Sequence, residues 1–573
     1  MTPGELCREW SIEWDPQLNE QQKQAVAAIV APCTVPNVPP VLVVGPFGTG
    51  KTFTLAQALF EVIRRVPDSR VLVCTHSNSA ADVYVLEHLD KEVANHPALR
   101  PLLILHEYRM PNQVDRRLLQ YCLEVPRDQL SEQGPWFRQP TAEEIEGHRV
   151  VVTTLSSSQM LLASGVKRGS FTHIFIDEAA QVMEAECILP LALADENTRV
   201  VLAGDCMQLN PEVFSVYTRE RRLHVSLLER LHGTFSRVHG GKVGWHPCQV
   251  GLEDNYCSHE ALVRFISECF YEDRLRAMGS PGPHQLLKPL SFFAVCGTDK
   301  LCDGSTSYDN EMEVVEVCKV VKQLVDEWPG TWGACDPSTI AVLTPYSDQV
   351  QCIRKQLRKL KLSRVRVESV LDVQGKQFRA VVLSTVRTRA TCLHLEQTTF
   401  KTALNFGFLS DAKLLNTAIT RAQSLIAVVG DPVSLCSVGA CRTVWEKFIR
   451  TCAECSSLYN MDWDDIKCQL DALEQLMSSQ VPRQPHAEPV TPVKPKKQLQ
   501  PHTQQGSRQQ SHARDEESKQ NGPLLAVNPG PSPSLNDWRR PPVHPAGAQV
   551  ASSLGEMDAK FLSMMLSDGD SSG

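Results

Sequence analysis

The sequence predicts an α/β fold of two parallel-sheet domains, on three observations. First, short β-rich runs bounded by turn residues alternate with helical stretches: Val41–Val44, Val71–Cys74, Val150–Val152, Ile174–Ile176, Val200–Leu202, Ile340–Leu343, Ala380–Leu383 and Leu425–Val429. Runs that are apolar throughout belong to strands covered on both faces, as helices cover a parallel sheet. Second, these runs are too many for one compact sheet and fall into two groups around Val238–Gly251, a stretch rich in glycine and histidine. Third, composition changes after Met477: residues 478–573 hold 13 of the 37 prolines and only two aromatics, Trp538 and Phe561. Such a segment cannot bury enough apolar surface to offset the entropy of ordering it.

The expected order is an N-terminal segment (1–17), a first domain (18–237), a second domain (238–477) and a disordered Pro/Gln/Ser-rich tail (478–573). Residues 88–148 lack the strand rhythm and read as a mainly helical insertion in the first domain. In the tail, Met557, Phe561, Leu562, Met564, Met565 and Leu566 recur at helical spacing among acidic residues. A short helix over 554–566 that recruits a protein partner is one reading, and solvated disorder is the other.

With 573 residues, 42% hydrophobic and 22% charged, the chain is too apolar to be wholly disordered and too low in glycine to be collagen-like. Its 58 basic and 66 acidic residues give a net charge of −8, and the tail contributes 10 basic and 9 acidic of these. A nucleic-acid partner therefore needs a local basic groove on an acidic body. Twenty cysteines, no secretory leader and no apolar run of membrane length point to reduced thiols, a cytoplasmic or nuclear location and no membrane partner. Cys452 and Cys455 lack a second pair at zinc-ribbon spacing, and His246, Cys248, Cys257 and His259 lack standard ligand spacing. Neither group is read as a zinc site.

The chemistry begins where Val41–Val44 run into Gly45-Pro46-Phe47-Gly48-Thr49-Gly50-Lys51-Thr52 and then the helical stretch Phe53–Arg65. This is G-x-x-x-x-G-K-[ST] in the strand, loop and helix setting it requires. Glycines let backbone N–H groups turn toward phosphate oxygens, Lys51 reaches the β/γ-phosphates, and Thr52 binds Mg²⁺. A second acidic site is needed for that metal. Ile174-Phe175-Ile176 ends in Asp177-Glu178-Ala179-Ala180, placing two carboxylates at the carboxyl end of a buried strand, where open α/β sheets bind ligands. Asp177 is assigned to Mg²⁺ and Glu178 to activation of the attacking water.

Several motifs in order resemble those of superfamily 1 RNA helicases, in the branch containing the nonsense-decay up-frameshift helicase. They are Phe47 in the P-loop, Asp-Glu-Ala-Ala, Gly204-Asp205-Cys206-Met207-Gln208-Leu209-Asn210-Pro211 and Leu415-Asn416-Thr417-Ala418-Ile419-Thr420-Arg421-Ala422. Cys74 to Asp82 and Val373 to Arg379 look most like the "helicase with zinc finger" subgroup. The resemblance covers about Leu18 to Leu476 and implies two tandem RecA-like domains with ATP between them. It further implies that Gln22 reads adenine, Tyr256 stacks on the base, Gln208 senses the γ-phosphate and Arg421 is an arginine finger from the second domain. By the same resemblance Thr75, Ser77, Asn78, Thr153 and Thr154 touch single-stranded RNA on the first domain, and Pro345, Tyr346 and Arg387 on the second. DNA is the lesser alternative.

Two departures stand out. The family usually places an arginine, a second finger, where this chain has Cys257, and a neutral thiol cannot replace that charge. Gln377 stands where most relatives have a glutamate. The β-barrel and zinc fingers that precede this region in relatives are also expected to be missing, either because this is a shortened product or because the accessory parts lie on another chain. The resemblance thus implies a 5′-to-3′ ATP-dependent helicase or translocase on RNA. Its rival is a nucleotide-gated RNA-binding scaffold, or a transcriptional or mRNA-decay cofactor, with attenuated ATPase because Cys257 replaces an arginine finger.

Overall fold

The structure is a computed structural model that describes residues 15–31, 38–126, 129, 134–213, 215–238, 248–301, 304–389, 391–392 and 406–479. The tail with its candidate helix 554–566, the first 14 residues and His246 lie outside the described residues.

In the first domain, strands β1 (Val41–Val44), β2 (Val71–Thr75), β3 (Pro101–Ile104), β4 (Val150–Thr154), β5 (His173–Ile176), β6 (Arg199–Gly204) and β7 (Gln249–Gly251) form one parallel sheet in the order β3-β4-β2-β5-β6-β1-β7. Successive residues alternate between two apolar layers because strand side chains alternate in direction. Val41, Val43, Val73, Val152 and Phe175 pack on one side with helices α1 (Glu20–Val30) and α2 (Lys51–Arg65), while Leu42, Leu72, Val151, Ile174 and Leu202 pack on the other. Each fully buried Val, Leu or Ile contributes about 1.5–3 kcal/mol relative to exposure. Both faces are covered, which is why these strands read as unbroken apolar runs.

The second sheet is also parallel, in the order β10-β9-β11-β12-β8-β13, with β8 at Leu290–Ala294, β9 at Ile340–Thr344, β10 at Arg366–Ser369, β11 at Phe378–Ser384, β12 at Ala422–Gly430 and β13 at Leu458–Tyr459. Ala341, Leu343, Val381, Leu383, Ile426 and Val428 face one layer and Ile340, Val342, Ala380, Val382, Leu425 and Ala427 the other. Phe47 of the P-loop and Leu209 join the first of these layers, so the two sheets share apolar contact beside the loop. These are the two tandem domains expected from the sequence, in a mixed α/β fold.

Two details differ from expectation. The first sheet does not end at residue 237: β7 pairs with β1 through Leu42↔Gln249 to Val44↔Gly251. As an edge strand with a single buried residue, Val250, it carries too little apolar signal to be told from a linker. The segment 88–148 is also not mainly helical. It contributes the wholly buried edge strand β3, and the rest of its described residues form the end of a helical run that stops at Val93, short 3₁₀ turns and the short helix Ala142–Glu146. Pro101 at the head of β3 is tolerated because an edge strand needs fewer N–H donors.

Candidate nucleotide site

The P-loop leaves β1 and enters α2 through two left-handed glycines, Gly48 (φ +66°) and Gly50 (φ +77°). A Cβ on Gly48 would sit 2.7 Å from Asn255 Nδ2, so the position excludes larger residues on both grounds. Thr49 Oγ1 donates to the Pro46 carbonyl at 2.8 Å, and Lys51 Nζ reaches the same oxygen at 3.4 Å, so the loop closes on itself with Lys51 over it. Gly45 N–H donates to the Gly204 carbonyl, tying the loop's base to β6.

Asp177 follows β5 and lies beside the head of α2, where Thr52 Oγ1 donates to Asp177 Oδ2 at 2.8 Å. Burial, then the neighbouring Glu178 carboxylate, push the Asp177 carboxyl up to about 6, and the Thr52 hydrogen bond and Lys51 oppose the rise. A buried carboxylate and a hydroxyl in contact are hard oxygen donors, which suits them to a magnesium ion. Glu178 is held at φ +55°, a conformation uncommon for a residue with a side chain, and its carboxylate accepts from Gln181 Nε2 at 3.2 Å.

The adenine end is assembled from distant segments. Asn19 caps α1, with its side chain accepting from Gln22 N–H, and its Nδ2 donates to Asp254 Oδ2 (2.9 Å) and Tyr256 Oη (2.8 Å). Gln22 is buried and its amide is engaged: Nε2 donates to the Thr49 carbonyl at 3.1 Å and Oε1 accepts from Asn19 N–H at 3.0 Å. Tyr256 is 41% exposed, an open ring fixed by its own N–H donating to the Gly48 carbonyl at 2.9 Å. Asn255, which the sequence reading passed over, is fully buried and acts as a clamp. Its Nδ2 donates to the Phe47 carbonyl (2.8 Å) and its Oδ1 accepts from the N–H groups of Cys257 (3.0 Å) and Ser258 (2.9 Å). One side chain thus joins the P-loop to the turn carrying Cys257. The Cys257 thiol is half-buried, raised by burial and opposed by a hydrogen bond with Gln377 and by the charge of Lys51.

Across the cleft a polar seam joins the segment 205–210 to helix α5 and its flank, where α3 (Asn78–Val83), α4 (Glu260–Phe270) and α5 (Ala412–Ile419) complete the elements needed. Arg421 Nη2 donates to Gln208 Oε1 at 3.1 Å, Gln208 Nε2 to Thr420 Oγ1 at 3.4 Å, and Leu209 N–H to Thr417 Oγ1 at 3.0 Å. Tyr271, just after α4, donates to Asp205 Oδ2 at 2.8 Å while its oxygen accepts from Asn416 Nδ2 at 2.8 Å. Burial pulls the Arg421 guanidinium below its ordinary value, and the Glu178 and Asp205 carboxylates oppose that pull. Asn416 and Thr417 sit in a run already singled out beside Arg421, whereas Tyr271 has no local signal at all.

The residues expected on a nucleic-acid face divide. His76, Ser77, Asn78 and Ser79 are exposed, with Ser77 capping α3 through its side chain. Thr75 is buried and donates to the Ser77 carbonyl at 2.9 Å. Thr153 points into the sheet edge and donates to the Ile104 carbonyl of β3 at 3.1 Å, and Thr154 donates to Ser157 Oγ at 3.0 Å. Pro345 follows β9, and Tyr346 is buried. Arg387 is also buried, its guanidinium 3.8 Å from the centre of the Tyr308 ring and paired with Asp299 at 3.0 Å. Thr75, Thr153 and Arg387 therefore have internal partners instead of open surface. Among the described residues no group of three or more His, Cys, Asp or Glu is arranged to hold a metal. Among those residues no helix is long and apolar enough to cross a membrane.

Comparison with known proteins agrees with this architecture. A family described as an AAA domain matches residues 17–139 and 127–216, and a second of the same description matches residues 223–433. The chain is similar to "Probable helicase with zinc finger domain" of Danio rerio, 50% identical over 483 residues, covering 82% of this chain and 25% of that protein. It is 42% identical over 455 residues to "3'-5' exoribonuclease HELZ2" of Homo sapiens, covering 78% of this chain and 15% of that protein. To "RNA helicase Mov10l1" of Homo sapiens it is 36% identical over 440 residues, 73% of this chain and 34% of that protein. The chain thus spans about a quarter of the length of the first of these relatives. On the two matched domains, these relatives and the ordered motifs lining the cleft, the chain belongs to the superfamily 1 helicases of the up-frameshift-like branch.

Proposed function

We propose that the chain is an ATP-dependent RNA helicase or translocase that moves 5′-to-3′ on single-stranded RNA. The observation that carries the reading is the cross-domain contact of Arg421 with Gln208, beside a P-loop and a paired Asp177 and Glu178. Lys51 binds the β/γ-phosphates, and Tyr256 presents its ring to the base. Glu178, poised next to Asp177, accepts a proton from the attacking water at its free carboxylate oxygen. Arg421 neutralises charge on the transferring phosphoryl oxygens from the opposite domain, so hydrolysis requires both domains. Thr52 and Asp177 would hold magnesium, which when bound neutralises phosphate charge. RNA as the substrate rests on the names of relatives such as an RNA helicase, and the polarity on family resemblance. Exposed Ser77 and Asn78 supply small polar contacts suited to a backbone without base readout. Comparing stimulation of ATPase by single-stranded RNA, single-stranded DNA and duplex RNA tests the substrate. RNA is expected to stimulate most, and equal stimulation by DNA would contradict the reading.

The polar seam also predicts how substrate binding is transmitted. Tyr271→Phe removes one hydroxyl that joins Asp205 to Asn416 and leaves the phosphate-contacting groups in place. Basal ATPase and the KM for ATP are expected within about threefold of wild type. The increase in kcat produced by RNA is expected to fall about tenfold, roughly the 1.4 kcal/mol of one lost charge-assisted hydrogen bond.

Cys257 supports a second reading, a nucleotide-gated RNA scaffold with attenuated hydrolysis and protein partners bound through the tail. Its thiol lies against Gln377 and feels the charge of Lys51, where a relative would place a guanidinium. Under this reading Cys257→Arg raises kcat for ATP by about tenfold or more. An unchanged kcat would show that the thiol is tolerated and leave the helicase reading.

A further inference from the structure

The body of the protein is acidic, yet from Arg354 to Arg366 the chain carries seven basic residues and no carboxylate. The segment spans the second half of the helix Ser347–Lys359, a turn, and the start of β10, which is an edge strand of the second sheet. Ile353, Leu357, Val365 and Val367 are turned inward and buried, while Leu360 stays exposed. The basic positions are left outside by the same periodicity. Two of them are committed to the fold, Arg354 bridging the Val367 carbonyl and Glu368, and Arg364 pairing with Asp336. Lys355, Arg358, Lys359, Lys361 and Arg366 are exposed and form no ion pair among the described residues.

Two of these unpaired charges lie in a concavity. Arg358 and Arg366, the paired Arg354 and Arg364, and Ser338, Ser363 and Glu368 line a groove of about 420 Å³. An edge strand is often guarded by one or two lysines, and a helix C-terminus favours a cation or two. Neither need accounts for two unpaired guanidinium groups converging with two paired ones and two hydroxyls on one concavity, where mutual repulsion must be borne. Guanidinium forks at a groove match the geometry of phosphate oxygens, and a polyanion relieves the repulsion.

We infer that this groove is a second binding site for the phosphate backbone of RNA, separate from the positions at the carboxyl ends of the strands. The sheet register sets the separation: Arg366 is level with Ala341 at the start of β9, while Pro345 follows the end of that strand, about 13 Å further along at ~3.3 Å per residue. The groove thus holds a stretch of strand outside the cleft and reads no bases. The inference rests on RNA being the substrate, and the test separates the two.

The test is fluorescence anisotropy of a labelled single-stranded RNA with the full chain, titrated between 50 and 200 mM salt. Three proteins are compared: wild type, Arg358→Ala/Arg366→Ala, and Arg358→Lys/Arg366→Lys. Loss of two phosphate contacts lowers the slope of log K against log salt by about 1.4 for a single strand, and affinity at 50 mM salt falls about tenfold or more. Lysine restores most of the slope because it keeps the charge. ATPase without RNA stays at the wild-type value in all three. If wild type binds RNA and the alanine variant shows the same slope and affinity, the groove is not an RNA site and its charges serve an acidic protein surface or the edge alone. If wild type does not bind RNA at any salt, the substrate reading itself fails.

Discussion

Arg421→Ala lowers the kcat of RNA-stimulated ATP hydrolysis about 10³-fold while leaving ATP affinity within a few-fold of wild type. The size follows from the role proposed for the residue, a guanidinium delivered to the phosphoryl group from the second domain, where such groups are worth 10³–10⁵ in rate. The small effect on affinity follows from its position. The P-loop, Lys51 and Thr52 belong to the first domain, whereas Arg421 immediately precedes β12 and meets that domain through Gln208. Arg421→Lys is expected to recover little, because a point charge cannot hold the Gln208 oxygen, the Thr420 hydroxyl and the Thr417 carbonyl at once. Steady-state kinetics with a separate nucleotide-binding titration read both quantities. A kcat within tenfold of wild type would remove Arg421 from the reaction.

Asn255→Leu is expected to be the most damaging single change at the site that touches no substrate. Leucine has the same branching and the same number of heavy atoms but cannot pair with the Phe47 carbonyl or the Cys257 and Ser258 N–H groups, all of which Asn255 satisfies from a fully buried position. Leaving a buried polar group unpaired costs about 1–3 kcal/mol, so three such groups destabilise the fold by roughly 4 kcal/mol after partial relaxation. The same change frees the loop between Gly48 and the Tyr256 turn, and ATP affinity is expected to fall at least tenfold. Denaturant unfolding and nucleotide titration check the two arms. Unchanged stability and affinity would show that the P-loop is held by other contacts.

What could be read along the chain and what could not differ in a physical way. The P-loop and the Asp177-Glu178 pair are contiguous runs whose strand, turn and helix setting is local, so residue order alone places them. The Gln208 and Arg421 contact joins segments more than 200 residues apart and came into view only through resemblance to a family. Asn255 joins the P-loop to the Cys257 turn, Tyr271 joins Asp205 to Asn416 across the cleft, and nothing in their own neighbourhoods marks them. Thr153 shows what resemblance alone does not report. The family resemblance implies an RNA contact there, yet the Thr153 hydroxyl is paired with the Ile104 carbonyl of β3, an edge strand that carries no clear signal within 88–148. The same resemblance implies that Arg387 touches RNA, yet Asp299 and the rings of Tyr308 and Phe406 enclose it. Charge along a sequence does not report where the compensating carboxylate lies.

The central claim is that the cleft between the two domains hydrolyses ATP in response to RNA. The most direct measurement is ATPase of the purified chain with and without single-stranded RNA, alongside Lys51→Ala and Glu178→Gln. The expected result is a wild-type rate that rises on adding RNA, with both variants reduced by at least 10²-fold in its presence. Equal rates in all three proteins, with no response to RNA, would contradict it.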